Sequence, residues 1–335
     1  MDAEELVESI IRALMFLAGI IGNNYLAIRS IPSRRSSIST NDVLFINLAV
    51  SNLITNYLVD LPDTIADFAG RWFLGEAYCG VFRFCADLSE TSSIITTFFI
   101  SAFWHQKLVG SLKRGGAPVK LDNMALVLTL LAGSWVTAFA FSTPHFFFVR
   151  VEGTNGSEDD CVDVFPDAFS RQMYDIFYLT LANAIPLTGM LIASAQIVVT
   201  LLKNHQRIRG QTEELSKDRA LDGSVGTVSE QNANASTSDL QTGVAPAASS
   251  KPGQMRSGKP NSARQVRAAK SVVAVASVFL VCWLTHLLLR ITNNFHTSSL
   301  LVEVASYIAA SYTCIIPYIF LHGVKKLSCS CINRS

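Results

Sequence analysis

Along the chain, apolar stretches alternate with short polar ones to give seven long apolar windows: about 7–29, 42–66, 79–104, 122–148, 171–202, 266–291 and 299–323. Each meets the roughly 20 residues a helix needs to cross the hydrocarbon core of a bilayer. The fourth carries no charge between Asp122 and Arg150, whereas the second and third carry Asp60, Asp63, Arg83, Asp87 and Glu90 near one end. The seventh reads as the least apolar, so its limits are the least sharply drawn. The pattern predicts an all-α membrane protein, a bundle of seven transmembrane helices. Spans one to five occupy 1–203, spans six and seven 266–323, and a short tail 324–335. The intervening segment 204–265 is rich in Gly, Ser, Thr, Asn, Gln and Ala. It cannot bury enough apolar surface to offset the entropy of ordering, and disorder is expected there.

Composition supports a membrane protein. Only 16% of the 335 residues are charged, where a soluble domain carries about a quarter. The first apolar run follows acids (Asp2, Glu4, Glu5, Glu8) and is too long for the core of a cleaved leader, so it reads as a retained span. The charges between spans set the orientation. The stretch 29–35 holds Arg29, Arg34 and Arg35 with no acid, and 105–120 holds Lys107, Lys113, Arg114 and Lys120 with no acid. By contrast, 150–168 holds Glu152, Glu158, Asp159, Asp160, Asp163 and Asp167 against Arg150 alone. Every connection thus places the N-terminus outside and the C-terminus inside.

Motifs in every span are shared with one family. The first span has "GIIGNN" with Asn23, and the second "NLAVSNL", in which Asn52 stands where the family usually has an acid. Trp72 in "RWFLGEAYC" leads to Cys79; Trp135 and Pro186 follow in spans four and five. Span six has "CWLTH", with Thr285 in place of proline, and span seven has "IIPYIF". In this order and on these sides of the membrane, the chain resembles the class A, rhodopsin-like G-protein-coupled receptors. At the base of span three the family's Asp-Arg-Tyr triplet falls at Phe103-Trp104-His105. That divergence, with a short N-terminus and "FWHQKLVGSLKRGG", most resembles the vomeronasal type-1 receptors and the fish olfactory receptor class A-related (ora) family.

Several site expectations follow. Cys79 and Cys161 both fall on the outer, oxidising side; the residues alone leave a bridge or two thiols open, and the resemblance implies the disulfide. Asn155-Gly156-Ser157 is a sequon in the same acidic outer loop, so Asn155 is expected to be glycosylated. Charges inside a membrane are costly and tend to be functional. Arg83, Asp87 and Glu90 repeat at i, i+4, i+7 and are expected to share one face of span three. His286 and Arg290 in span six, and Glu303 and Tyr307 in span seven, repeat at i, i+4. With Tyr178 and with Trp283 as the base, these residues predict an outer-half cavity for a small polar or charged organic ligand. Internal pairing, for example Glu90 with Arg290, is the equal alternative.

Asn52 in place of the acid removes the charge that would balance a sodium ion, so no metal site is expected. Asn23, Asn47 and Asn52 are expected instead to hydrogen-bond between helices. On the inner face, His105, Lys107, Arg264, Arg267 and Lys270 form a basic surface that suits anionic membrane lipid. By resemblance it would face a heterotrimeric G protein, of the inhibitory class. Cys329 and Cys331 in "LSCSCINRS" are palmitoylation candidates.

No HExxH, GxSxG or phosphate loop supports an enzyme, nothing points to nucleic acid, and no cofactor is implied. The position of an opsin's Schiff-base lysine aligns with Ala310, and span seven has no lysine before Lys325. The resemblance implies a plasma-membrane chemosensory receptor for an odorant or pheromone, in olfactory sensory neurons. Alternatives are a peptide or amine receptor or, in another class, a transporter.

Overall fold

The computed structural model describes residues 3–32, 38–113, 119–154, 157–222, 259–292 and 299–325. Seven helical rods form the bundle. The first is α1 (Ala3–Ser30). The second starts at a capping box, in which the Ser39 side chain accepts from the Asp42 N–H and the Asp42 carboxylate accepts from the Ser39 N–H. It comprises α2 (Thr40–Thr55), a π-helical turn over Asn56–Asp60 and α3 (Leu61–Ala69), and it stops at Gly70 in the left-handed conformation. The third is α4 (Gly75–Lys113) and the fourth α5 (Met124–Ser142), with a 3₁₀ turn at Thr143–Phe146. The antiparallel hairpin of β1 (Val149–Thr154) and β2 (Ser157–Asp163) precedes the fifth rod. That rod is α6 (Ala168–Phe177), a π turn over Tyr178–Ala184 and α7 (Ile185–Asp222). The sixth is α8 (Lys259–Thr292); the seventh is α9 (Ser299–Ala310) and α10 (Tyr312–Phe320), ending in a π turn over Leu321–Lys325.

Two of the three described π turns sit just before a proline. A proline lacks the N–H an α-turn needs and its ring crowds the carbonyl four residues back, so the chain widens its turn. Pro62 follows the turn in the second rod and Pro186 the turn in the fifth. In α8 no proline stands at Thr285. The α-helix runs through that position without interruption, and the Thr285 hydroxyl donates to the Val281 carbonyl at 2.8 Å.

Six rods contain windows long and apolar enough to cross a membrane, including Val304–Val324 in the seventh. The third does not qualify, which corrects the ranking of the seventh span as least apolar. The reason is the composition of α4's packed face: Ser89, Ser92, Ser93, Thr96, Thr97 and Ser101 are fully buried. Small hydroxyl residues let neighbouring helices approach closely: Thr96, Thr97 and Ser101 donate to carbonyls four residues back, while Ser92 and Ser93 bond across to Ser51 and Asn52 of the second rod. Outward-facing positions show the reverse: Leu14, Ile21, Val136 and Phe139 are more than half exposed. Polar inside and apolar outside is the arrangement a lipid solvent favours, and the protein is a multi-pass membrane protein.

The segment 204–265 departs from expectation. Helix α7 continues to Asp222 and α8 begins at Lys259. Strong helix formers fill 203–222, and Arg209 pairs with Glu213 one turn on at 3.2 Å. Residues 223–258 lie outside the described residues.

Candidate functional site

The site is assembled at the end of the bundle that carries the hairpin. A disulfide joins Cys79 in the first turns of α4 to Cys161 in β2, with Cα atoms 5.6 Å apart. Around it pack Trp72, Phe82 and Val149. The Trp72 indole donates to the Gly75 carbonyl at 3.1 Å, and its ring meets Phe82 edge-on at 5.0 Å. The hairpin is thereby fixed against α4, and Arg83, one turn further in, donates from Nη2 to the Cys161 carbonyl at 2.7 Å.

Below the hairpin a cavity of about 380 Å³ opens between the second, third, sixth and seventh rods. Arg83 and Glu90 reach it from α4, Asp60 and Asp63 from the second rod, Phe279 and Trp283 from α8, and Ala310 and Tyr312 from the seventh. A smaller cavity of about 270 Å³ adjoins it against α1, with Arg12, Phe16 and Tyr307 in its wall. The two share Asp60, Asp63, Ser306, Ala310 and Thr313, so Asp60 stands at their junction.

Asp87 does not share the face of Arg83 and Glu90. Seven residues return a helix to within about 20°, but four leave Asp87 about 40° from Arg83, turned towards the fourth and fifth rods. There it meets His145, whose Nε2 lies 2.8 Å from Asp87 Oδ2 and whose Nδ1 lies 3.0 Å from Asp163 Oδ1. The Tyr174 hydroxyl also donates to Asp87 Oδ2, at 2.7 Å. Carboxylates only accept, so both ring nitrogens of His145 donate when both acids are ionised. Burial works to raise the pKa of Asp163, but the hydrogen bond from His145 and the charges of Arg83, His145 and Arg171 outweigh it and hold the carboxyl below its usual range.

The sequence profile described as 7 transmembrane receptor (rhodopsin family) matches residues 23–320, most of this chain. The protein belongs to the rhodopsin family of seven-transmembrane receptors. It is 26% identical over 207 residues to a rhodopsin of Cambarellus shufeldtii, covering 60% of this chain and 66% of that protein. It is 26% identical over 217 residues to atypical chemokine receptor 2 of Mus musculus, covering 63% and 54% respectively. It is 25% identical over 196 residues to a gonadotropin-releasing hormone receptor of Octopus vulgaris, covering 58% and 46%. The chain thus spans between about half and two thirds of the length of these relatives.

In this rhodopsin-family receptor the asparagines form one connected ladder. Ser93 donates to Asn52 Oδ1 at 2.8 Å, Asn52 to Asn23 Oδ1 at 3.0 Å, Asn23 to Asn56 Oδ1 at 3.3 Å, and Asn56 to Asp60 Oδ2 at 2.8 Å. Asn23 also donates to the Thr313 carbonyl at 3.0 Å, which joins the first, second and seventh rods. Asn47 binds separately, donating to Thr96 at 2.7 Å and accepting from the Trp135 indole at 2.9 Å. Asn23, Asn47 and Asn52 therefore bond between helices.

The other candidate residues divide. Trp283 lines the larger cavity, and its indole N–H is buried with no partner among the described residues. Tyr178 is fully buried behind Glu90 and donates to its Oε2 at 3.2 Å. Tyr307 lines the smaller cavity, beneath the Arg12 guanidinium at 5.9 Å. The side chains of His286, Arg290, Glu303 and Arg264, together with Asn155, Cys329 and Cys331, lie outside the described residues. At the opposite end, Arg267 and Lys270 are exposed on α8, His105 is half-buried, and the Lys107 ammonium lies over the Phe103 ring at 4.9 Å.

Sequence reading missed Arg12, His145 and the role of Asp60. Arg12 bridges Asp63 at 2.7 Å and Asp67 at 3.1 Å. Its signal was available: a single arginine in the apolar "SIIRALMF" needs an acid, and Asp63 and Asp67 lie one helical turn apart on one face of the next rod. Among the described residues no group of three His, Cys, Asp or Glu side chains is placed to hold a metal.

Proposed function

We propose that this protein is a receptor for a small organic ligand, bound in the cavity beneath the hairpin, and that it signals to a heterotrimeric G protein. The observation that carries this reading is the cavity itself: partly enclosed, lined by aromatic and charged side chains from four rods, at the end tied together by the disulfide. Membership of the rhodopsin family supports receptor activity. The orientation follows from loop charge, with the N-terminus and hairpin extracellular at the plasma membrane. The exposed Arg267 and Lys270 then belong to the cytoplasmic face, next to anionic lipid and the G protein, for which the inhibitory class is proposed from the resemblance.

The mechanism is a population shift. A ligand that fits the cavity better in one arrangement of the rods favours that arrangement in proportion to the difference in affinity. The contact that has to open at the other end is tight: a Cβ built on Gly323 would lie 1.5 Å from the Ser271 hydroxyl of α8. Separating α8 from the seventh rod there would expose the basic surface to the G protein. The chemosensory role, for an odorant or pheromone in olfactory sensory neurons, rests on the resemblance of "FWHQKLVGSLKRGG" to the vomeronasal type-1 and ora receptors. Retinal attachment has no lysine to use: Ala310 lines the cavity, and the next lysine is Lys325.

A second reading, a peptide receptor, is favoured by the chemokine-receptor and hormone-receptor relatives. One experiment separates the two: G-protein activation in transfected cells by small molecules and by peptides, for wild type and Ala310→Trp. Filling the cavity with an indole is expected to abolish responses to small ligands at unchanged surface expression. Unchanged small-molecule responses in Ala310→Trp would overturn the cavity reading, and responses to peptides alone would favour the second.

A further inference from the structure

We infer that the ligand of this cavity is an organic cation, an amine, whose ammonium group is received by Asp60. This rests on the cavity reading above and names the chemical class of ligand for it.

Among the described residues, the walls of the two joined cavities carry three carboxylates, Asp60, Asp63 and Glu90, and two guanidinium groups, Arg12 and Arg83. Arg12 is committed to carboxylates, and Arg83 lies at the hairpin end of the larger cavity, away from the junction where the two cavities meet. Arg12 is held between Asp63 at 2.7 Å and Asp67 at 3.1 Å. Arg83 is turned up to the Cys161 carbonyl at 2.7 Å, towards the hairpin and the charge of Asp163. Asp60 is different. Its Oδ2 accepts one hydrogen bond, from the neutral amide of Asn56, and no salt bridge reaches it among the described residues. Its carboxylate lines both cavities at their junction. The cation that acts on Asp60 is Arg12, which is already bridged to Asp63 and Asp67, and a bound cation would supply a charge of Asp60's own.

Three further observations bear on the cation. The carboxylate is positioned before any ligand arrives, because Asn56 is itself fixed by Asn23, which is held by Asn52 and the Thr313 carbonyl. Preorganisation of this kind lowers the cost of ordering the site on binding. Phe82, Phe279, Trp283 and Tyr312 line the same cavity, offering ring faces to an aryl group or to the ammonium itself. The buried indole N–H of Trp283, unpartnered among the described residues, is an independent demand on the ligand: an acceptor oxygen or a π face in addition to the charged nitrogen. An anion, by contrast, would meet the Asp60 carboxylate where the two cavities join. A neutral ligand would leave Asp60 with only the charge of Arg12, which Asp63 and Asp67 already share.

The test uses one frame with three head groups, in the G-protein activation assay on the full-length receptor in cells. The probes are 2-(4-methoxyphenyl)ethylamine, 4-methoxyphenylacetic acid and 2-(4-methoxyphenyl)ethanol, with an extended panel of aryl and cyclic amines matched to acids and alcohols. Active compounds are expected to be amines, at least tenfold more potent than their matched alcohols, with the acids silent. Asp60→Asn is expected to reduce amine potency about 100-fold, and Asp60→Glu, which keeps the charge, to recover at least tenfold of that loss. Surface expression, measured by an N-terminal tag, separates failure to fold from failure to bind. Potency within threefold of wild type in Asp60→Asn, equal potency of acids or alcohols, or silence of every amine would overturn the inference. Where Ala310→Trp still abolishes responses to those non-amines, the cavity reading survives it. Responses that persist in Ala310→Trp would instead remove the cavity reading.

Discussion

The two ends of this receptor are held together in opposite ways. In the hairpin half the binding elements are ionic and covalent: Arg12 with Asp63 and Asp67, His145 with Asp87 and Asp163, and the Cys79–Cys161 bridge. Among the described residues, the ion pairs given above that join one element to another all lie there. The basic half is packed dry. Leu44, Phe45, Leu48, Ile100, Phe103, Ile197 and Phe320 are essentially inaccessible, and Phe45 meets Phe320 at 4.8 Å between ring centroids. Polar groups around a cavity can exchange partners with a ligand, whereas close-packed side chains shift only between discrete arrangements. On the proposed function, the hairpin half would sense by exchanging partners and the basic half would report by changing its packing. The asparagine ladder is the physical connection between them.

Breaking each half, and then the link, gives an ordered set of expectations. The largest effect belongs to the covalent tie. Cys161→Ser should release the hairpin and cost about 2–5 kcal/mol, the usual range for losing such a bridge. It is read as a lowered thermal midpoint of solubilised receptor and the loss of ligand responses.

Next comes the dry half. Gly323→Ala places a methyl group where Ser271 now sits, its Cβ 2.6 Å from the built Cβ as well, so the sixth and seventh rods must separate. Overpacking of this kind costs about 1–3 kcal/mol. If the closed contact holds the receptor off, basal signalling rises in Gly323→Ala and returns towards wild type in the double variant with Ser271→Gly. No change in basal signalling in either would show that this contact does not gate the receptor.

The link is tested by Asn23→Leu, which leaves the Asn52 amide and Asn56 carbonyl without their shared partner. An orphaned buried group costs about 1–3 kcal/mol. Because Asn23 joins three rods, the loss should appear as weaker coupling of ligand to G protein as well as a lower thermal midpoint.

The smallest effect is that of pH on the hairpin. The Asp163 carboxyl is held below its unfolded value, so its contribution is fully present above about pH 4, the ordinary carboxylate pKa. It is lost as pH falls through the lower folded value. Thermal midpoints measured from neutral pH down to about pH 3 should show this acid-side loss in wild type, and less of it in Asp163→Asn.

The bundle was legible because span length and loop charge are additive along a sequence: counting apolar residues and lysines suffices. The bridge between Cys79 and Cys161 followed from family resemblance once the sides of the membrane were assigned. What counting could not reach was phase. Arg83, Asp87 and Glu90 look equivalent by spacing, yet small angular offsets send Asp87 to His145 and leave the other two in the cavity. His145, in the apolar "TPHFFF", gave no local sign of two acid partners from different elements. Asp60 was visible as a charge near a span end, but its place in the ladder depends on a π turn that propensity alone does not announce. The helix over 204–222 is hidden for a simpler reason: composition averaged over 204–265 masks the helix formers concentrated in its first part.

The widened turn at Asn56–Asp60 also changes how this chain has to be matched to its relatives. A π turn holds about one residue more than an α turn, and one residue rotates everything beyond it by about 100°. A relative without that turn aligns correctly only if a single-residue gap is opened between Asn56 and Pro62. Without the gap, Asp63 is set against the equivalent of Thr64, about 100° further round the helix. For the same reason, deleting Tyr57 should be worse tolerated than most substitutions of it, because every side chain of α3 would swing by a quarter turn. Along this rod, homologous positions are defined by angle, and residue count follows from it.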